Sequence, residues 1–114
     1  MDNLRLTEKG NTLTVAIAGE VTLDNTLEIK KRFDEVLERD RYASIILDLS
    51  GVTFIDSSGI GALVVFNTKV KTQGKLLFLF MPSDPVRKTL SLVQLVSFFD
   101  ILDSEDDLLT VLPD

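Results

Sequence analysis

The stretch Ser44-Ile45-Ile46-Leu47-Asp48-Leu49-Ser50-Gly51-Val52-Thr53-Phe54-Ile55-Asp56-Ser57-Ser58-Gly59-Ile60-Gly61 decides the fold. Its opening run, Ser44 to Leu49, is short and β-branched, with apolar residues at consecutive positions. That pattern predicts a strand covered on both faces, as in parallel sheets. Ser50 to Ile55 leads out of it, and Asp56-Ser57-Ser58-Gly59 opens a helix that ends near Gly74, a glycine suited to a helix C-terminus. A second buried run, Leu76 to Phe80, follows. Strand, helix and strand in this order imply a right-handed crossover between parallel neighbours.

Working outward, Leu13, Val15 and Ile17 alternate with Thr14, Ala16 and Ala18, the period of a strand. With Leu4 and Leu6 before it and Lys9-Gly10-Asn11 between, this reads as a β-hairpin over roughly Asn3–Glu8 and Thr12–Ala18. Gly19-Glu20-Val21-Thr22 breaks the alternation. Ile29, Phe33, Val36 and Leu37 then fall on one face of a helix from about Asp24 to Arg39. Downstream, Pro82-Ser83-Asp84-Pro85 starts a third helix, expected to run through about Val96 with Val86, Leu90 and Val93 on one face. Phe98 to Leu102 adds a short edge strand. Ser104-Glu105-Asp106-Asp107 resembles a capping box opening a last helix over Leu108, Leu109, Val111 and Leu112. The expectation is an α/β fold: one domain over residues 1–114, with a mixed, mostly parallel sheet, an N-terminal hairpin strand and about four helices.

Composition narrows the function. With 12 Lys+Arg against 18 Asp+Glu the formal net charge is −6, which disfavours nucleic-acid and anionic membrane surfaces as partners. The chain has neither Cys nor His, so thiol chemistry, a Ser-His-Asp triad and the commonest metal ligands are excluded. No Gly-Lys-Ser/Thr loop is present, and Val64 stands where a dinucleotide fingerprint needs a small residue after Gly59 and Gly61. Asp48 with Asp56 is too sparse a set for a metal, and Asp103 to Asp107 lacks the spacing of a calcium loop. We therefore expect no enzyme, no catalytic residue, no metal and no cofactor. Met1-Asp2-Asn3-Leu4-Arg5 does not read as a signal peptide, and no apolar run is long enough to insert into a membrane, so a cytoplasmic protein is expected.

Loops at the carboxyl ends of parallel strands carry function, which singles out Asp56 to Gly61. Ser57 has two readings. Its hydroxyl can cap the helix, a duty Asp56 performs equally well, or it can accept a phosphate, stabilised by the positive helix end. Gly59 and Gly61 each cost about 1 kcal/mol relative to Ala in a helix. Close packing on the sheet and close approach of a partner both explain them. Ile60, Leu63 and Val64 are expected to face the sheet, whereas Ala62, Val65 and Phe66 point elsewhere, either under a neighbouring helix or toward a partner.

Phe54-Ile55-Asp56-Ser57-Ser58-Gly59-Ile60-Gly61, with Gly19-Glu20-Val21, Leu47-Asp48-Leu49-Ser50-Gly51-Val52 and Gly74-Lys75-Leu76, resembles the STAS domain, specifically the bacterial anti-sigma factor antagonists. The resemblance covers nearly the whole chain. It implies that Ser57 is phosphorylated by an ATP-binding serine kinase that doubles as an anti-sigma factor. The unphosphorylated protein binds that kinase and frees a sigma factor, and a phosphatase restores the bound form. Asp56 would position the hydroxyl, and Ser58, Gly59, Ile60 and Gly61 would line the contact. The sequence departs from the family pattern at three places. Thr22, with Asp24 two residues on, replaces an acidic residue near the phosphosite. Phe66 stands where small or polar residues are usual, implying different partner contacts. Gln94 stands where the third helix usually meets a glycine. The alternative role is that of a constitutive STAS subunit in a lipid-transport ABC complex or a larger signalling assembly.

Overall fold

The computed structural model describes residues 3–112. Strands β1 (Leu4–Lys9) and β2 (Thr12–Val21) lead into α1 (Leu23–Arg39); β3 (Ser44–Ile55), α2 (Ser57–Thr72), β4 (Leu76–Phe80) and α3 (Asp84–Leu92) follow. A short 3-10 turn over Val96–Phe98, β5 (Ile101–Leu102) and α4 (Glu105–Val111) complete the order. The strands form one five-stranded sheet in the order β1-β2-β3-β4-β5. Only β1 is antiparallel to its neighbour; the pairs β2–β3, β3–β4 and β4–β5 are parallel.

Register explains the core. Leu13 lies beside Ile45 and Ile45 beside Leu77; Val15 lies beside Leu47 and Leu47 beside Leu79. These apolar rows cross the sheet and form one cluster with Ile29, Phe33 and Val36 of α1, Ile60, Leu63 and Phe66 of α2, and Val86 and Leu90 of α3. Each buried side chain of this size contributes about 1.5–3 kcal/mol relative to exposure.

Two strands run further than their alternation predicts. The β2–β3 register shifts between Ala16 and Ala18 and again between Gly19 and Glu20, so β2 continues to Val21 and β3 to Ile55. The extra residues lie in β3, where each bulge reverses which side chains face inward and erases the period-two signal without ending the strand. Strand β2 keeps its alternation, and only Gly19, between the buried Ile17 and Val21, interrupts its apolar row.

The third helix stops earlier than expected, at Leu92 rather than about Val96. Gln94 takes the left-handed conformation (φ 60°), while the Gln94 N–H donates to Ser91 O (3.1 Å) and the Leu95 N–H to Leu90 O (2.8 Å). This is the closure that Gly74 (φ 76°) makes at the end of α2, where Lys75 N–H reaches Val70 O at 3.2 Å. Val93 therefore falls beyond the helix and is exposed. At the end of α1, Asp40 is left-handed (φ 49°) and pairs with Lys75 Nζ at 2.7 Å. Hydrogen bonding from Lys75, with its charge, holds the Asp40 carboxyl below the usual carboxylate range.

Candidate functional site

The site forms where β2 and β3 end side by side. Val21 lies opposite Ile55, and the Asp56 N–H donates to Val21 O at 3.1 Å. Parallel strands ending together bring the N-termini of α1 and α2 to the same edge of the sheet. Each helix start exposes backbone N–H groups that need acceptors.

One carboxylate serves both. Asp56 Oδ1 accepts from the Gly59 N–H (3.0 Å), and Oδ2 accepts from the Leu23 N–H (3.1 Å). Asp56 is thus the N-cap of α2 and ties in the first residue of α1. Capping is therefore not the duty of Ser57. The cap is Asp56, and Ser57 is the first helical residue and exposed. Among the described residues, its hydroxyl has no protein hydrogen-bond partner, and no acidic residue occupies the first turn of α2. The helix end already carries the Asp56 carboxylate, and the first-turn N–H groups that Asp56 leaves unbonded still favour an anion at this hydroxyl.

Thr22 and Asp24 also lie at this edge. Thr22 is the N-cap of α1: its Oγ1 accepts from the Asp24 N–H (3.3 Å), and its own N–H donates to Asn25 Oδ1 (3.0 Å). Asn25 in turn donates to Glu20 O at 2.8 Å. Asp24 is exposed in the first turn. Thr22, singled out in the sequence as a departure, thus serves as the cap of α1.

The remaining candidates divide. Ser58 is half-buried, and Gly61 is exposed with nothing within 4 Å of a Cβ built there. Gly59 is explained by the fold alone: an added Cβ would lie 2.6 Å from Ile55 Cγ1 and 2.8 Å from Val21 Cγ1. Ile60 is buried in the core, so Gly59 and Ile60 seat the helix rather than touch a partner. Phe66 requires a correction. It is 1% exposed and stacks on Phe33 of α1 with ring centroids 4.0 Å apart, so it packs α2 against α1 and offers nothing to a partner. Ala62 is buried as well, and Val65 alone of the outward-pointing set is exposed. Asp48 is occupied locally, accepting from Ser50 N (3.0 Å) and Ser50 Oγ (2.6 Å). Among the described residues no cluster of three or more His, Cys, Asp or Glu could hold a metal, and no helix is long and apolar enough to cross a membrane.

Two contributors escaped the sequence reading. The Leu23 N–H meets Asp56 across a separation of 33 residues, which no local pattern signals. Leu23 and Leu27 stand out in solvent at 74% and 81% exposure. Their leucines, four apart and off the Ile29–Phe33–Leu37 face, were the available cue.

Comparison with known proteins agrees with this geometry. An anti-sigma F factor antagonist of Paenibacillus polymyxa is 27% identical over 100 residues, covering 88% of this chain and 86% of that protein. The crystal structure of a candidate anti-sigma factor antagonist of Thermotoga maritima superposes with a TM-score of 0.84 at 27% identity, covering 94% of this chain and 92% of that one. The Bacillus cell fate determinant SpoIIAA, in its phosphorylated form, superposes with a TM-score of 0.73 at 19% identity over 96% of this chain and 99% of that one. The profile of the STAS domain matches residues 3–108, and the chain belongs to the STAS domain family.

Proposed function

We propose that this protein is an anti-sigma factor antagonist: a non-enzymatic binding module that sequesters an anti-sigma factor serine kinase while Ser57 is unphosphorylated, so that a sigma factor is freed. The kinase phosphorylates Ser57 and loses its grip, and a phosphatase restores the binding form. The observation that carries this reading is the division of labour at the start of α2. Asp56 supplies the cap, so the exposed Ser57 hydroxyl has no duty in the fold. A phosphate there adds about −1.5 to −2 charge at a helix end that favours it. Similarity to an anti-sigma F factor antagonist supports the reading, as does the occurrence of this fold in a phosphorylated protein.

Ser57, Ser58 and Gly61 form the contact with Thr22 and Asp24 at its border, and Asp56 positions the hydroxyl. A hundredfold loss of affinity on phosphorylation requires about 2.7 kcal/mol. Desolvating a phosphate dianion in the interface supplies a penalty of that size. The expected outcome is that Ser57→Ala binds the kinase as tightly as unmodified protein, under phosphorylating conditions as well, and that Ser57→Asp binds poorly. Equal affinity of wild type and both variants would defeat the reading.

A further inference from the structure

We infer that the apolar ridge formed by Leu23 and Leu27 on α1 is the anchor of the partner interface, and that the serine kinase covers it with an apolar surface of its own. This rests on the function proposed above. Leu23 and Leu27 are four residues apart, so they share one stripe of the helix. Lys30 and Asp34 continue that stripe, and both line the furrow between α1 and α2 together with Ala62, Val65 and Lys69. Asp34 pairs with Lys69 at 2.9 Å across this furrow. The ridge is joined to the switch through Asp56, which holds the Leu23 N–H with one oxygen and the start of α2 with the other.

The fold does not require these leucines. They are 74% and 81% exposed and belong to no buried cluster. Glu or Lys would sustain the helix comparably without presenting apolar surface to water. Well-packed apolar side chains near the centre of an interface dominate its affinity, whereas rim charges contribute little. The arrangement also explains how one modification can act so strongly. The Leu23 N–H and the start of α2 share the Asp56 carboxylate, so a partner seated on this ridge and reaching Ser57 would bury a phosphate there and strip it of solvent.

The test is calorimetry of the purified anti-sigma serine kinase of the same cell with wild type, the Leu23→Ser/Leu27→Ser double variant, Ser57→Asp, and Leu109→Ser as a control on α4, where Leu109 is 68% exposed. The double variant should bind at least tenfold more weakly with a less negative heat-capacity change, while its melting temperature and the affinity of Leu109→Ser stay at the wild-type values. A double variant that binds like wild type while Ser57→Asp does not would overturn the ridge and leave the phosphoswitch standing. Wild type that fails to bind the kinase would overturn both. A wild-type dimer split by the double substitution would show that the ridge belongs to a second copy of this chain, which also overturns the inference.

Discussion

The starts of α2 and α3 place a serine at the same kind of junction, where a parallel strand gives way to a helix, and use it in opposite ways. At α3, Ser83 stands in the N-cap position itself, yet its hydroxyl makes no capping bond and is buried without a protein partner. Its backbone N–H is spent on Leu49 O at 3.2 Å, and Asp84 follows at once in the first turn. At α2 the cap is an aspartate with both oxygens engaged, the serine comes one residue later, and no acid occupies the first turn. Position relative to the cap, rather than residue type, separates a serine open to modification from one sealed into the fold. Each helix start already carries one carboxylate, Asp56 at α2 and Asp84 at α3, so exposure of the hydroxyl rather than local charge separates the two serines.

Breaking the α2 arrangement should have the larger effect on stability. Asp56→Ala removes the acceptor for two backbone N–H groups on two helices, and chemical denaturation should show a loss of about 2 kcal/mol. The equivalent change at α3, Ser83→Ala, removes a hydroxyl that caps nothing, and its denaturation midpoint should stay within about 0.5 kcal/mol of wild type. If the two variants lost equal stability, Asp56 would not be the cap that holds the two helix starts.

Much of this contrast could be read from the residues. The segment from Ser44 to Gly61 announced a buried strand feeding a helix, and Ser57 stood out as one hydroxyl beyond what capping needs. The buried face of α1 followed from the spacing of Ile29, Phe33, Val36 and Leu37, all of which are buried. What stayed hidden had physical causes. The bulges in β3 reversed its alternation, and Gly19 interrupted the inward apolar row of β2, so both strand ends looked irregular. The end of α3 depends on Gln94 adopting a left-handed conformation that a glycine would have signalled. Phe66 looked like a partner contact because nothing local shows that Phe33 stacks on it. The tie between Asp56 and Leu23, which fuses the two helix starts into one site, joins residues 33 apart and is visible only in three dimensions.

The measurement that bears most directly on the switch is a thermal melt of the protein after complete phosphorylation by its serine kinase, with the modified residue mapped by mass spectrometry. A single phosphate on Ser57, with cooperative unfolding and a melting temperature no lower than that of the unmodified protein, is the predicted result. A phosphate found on Ser83 instead, or a Ser57-phosphorylated chain that no longer unfolds cooperatively, would contradict it.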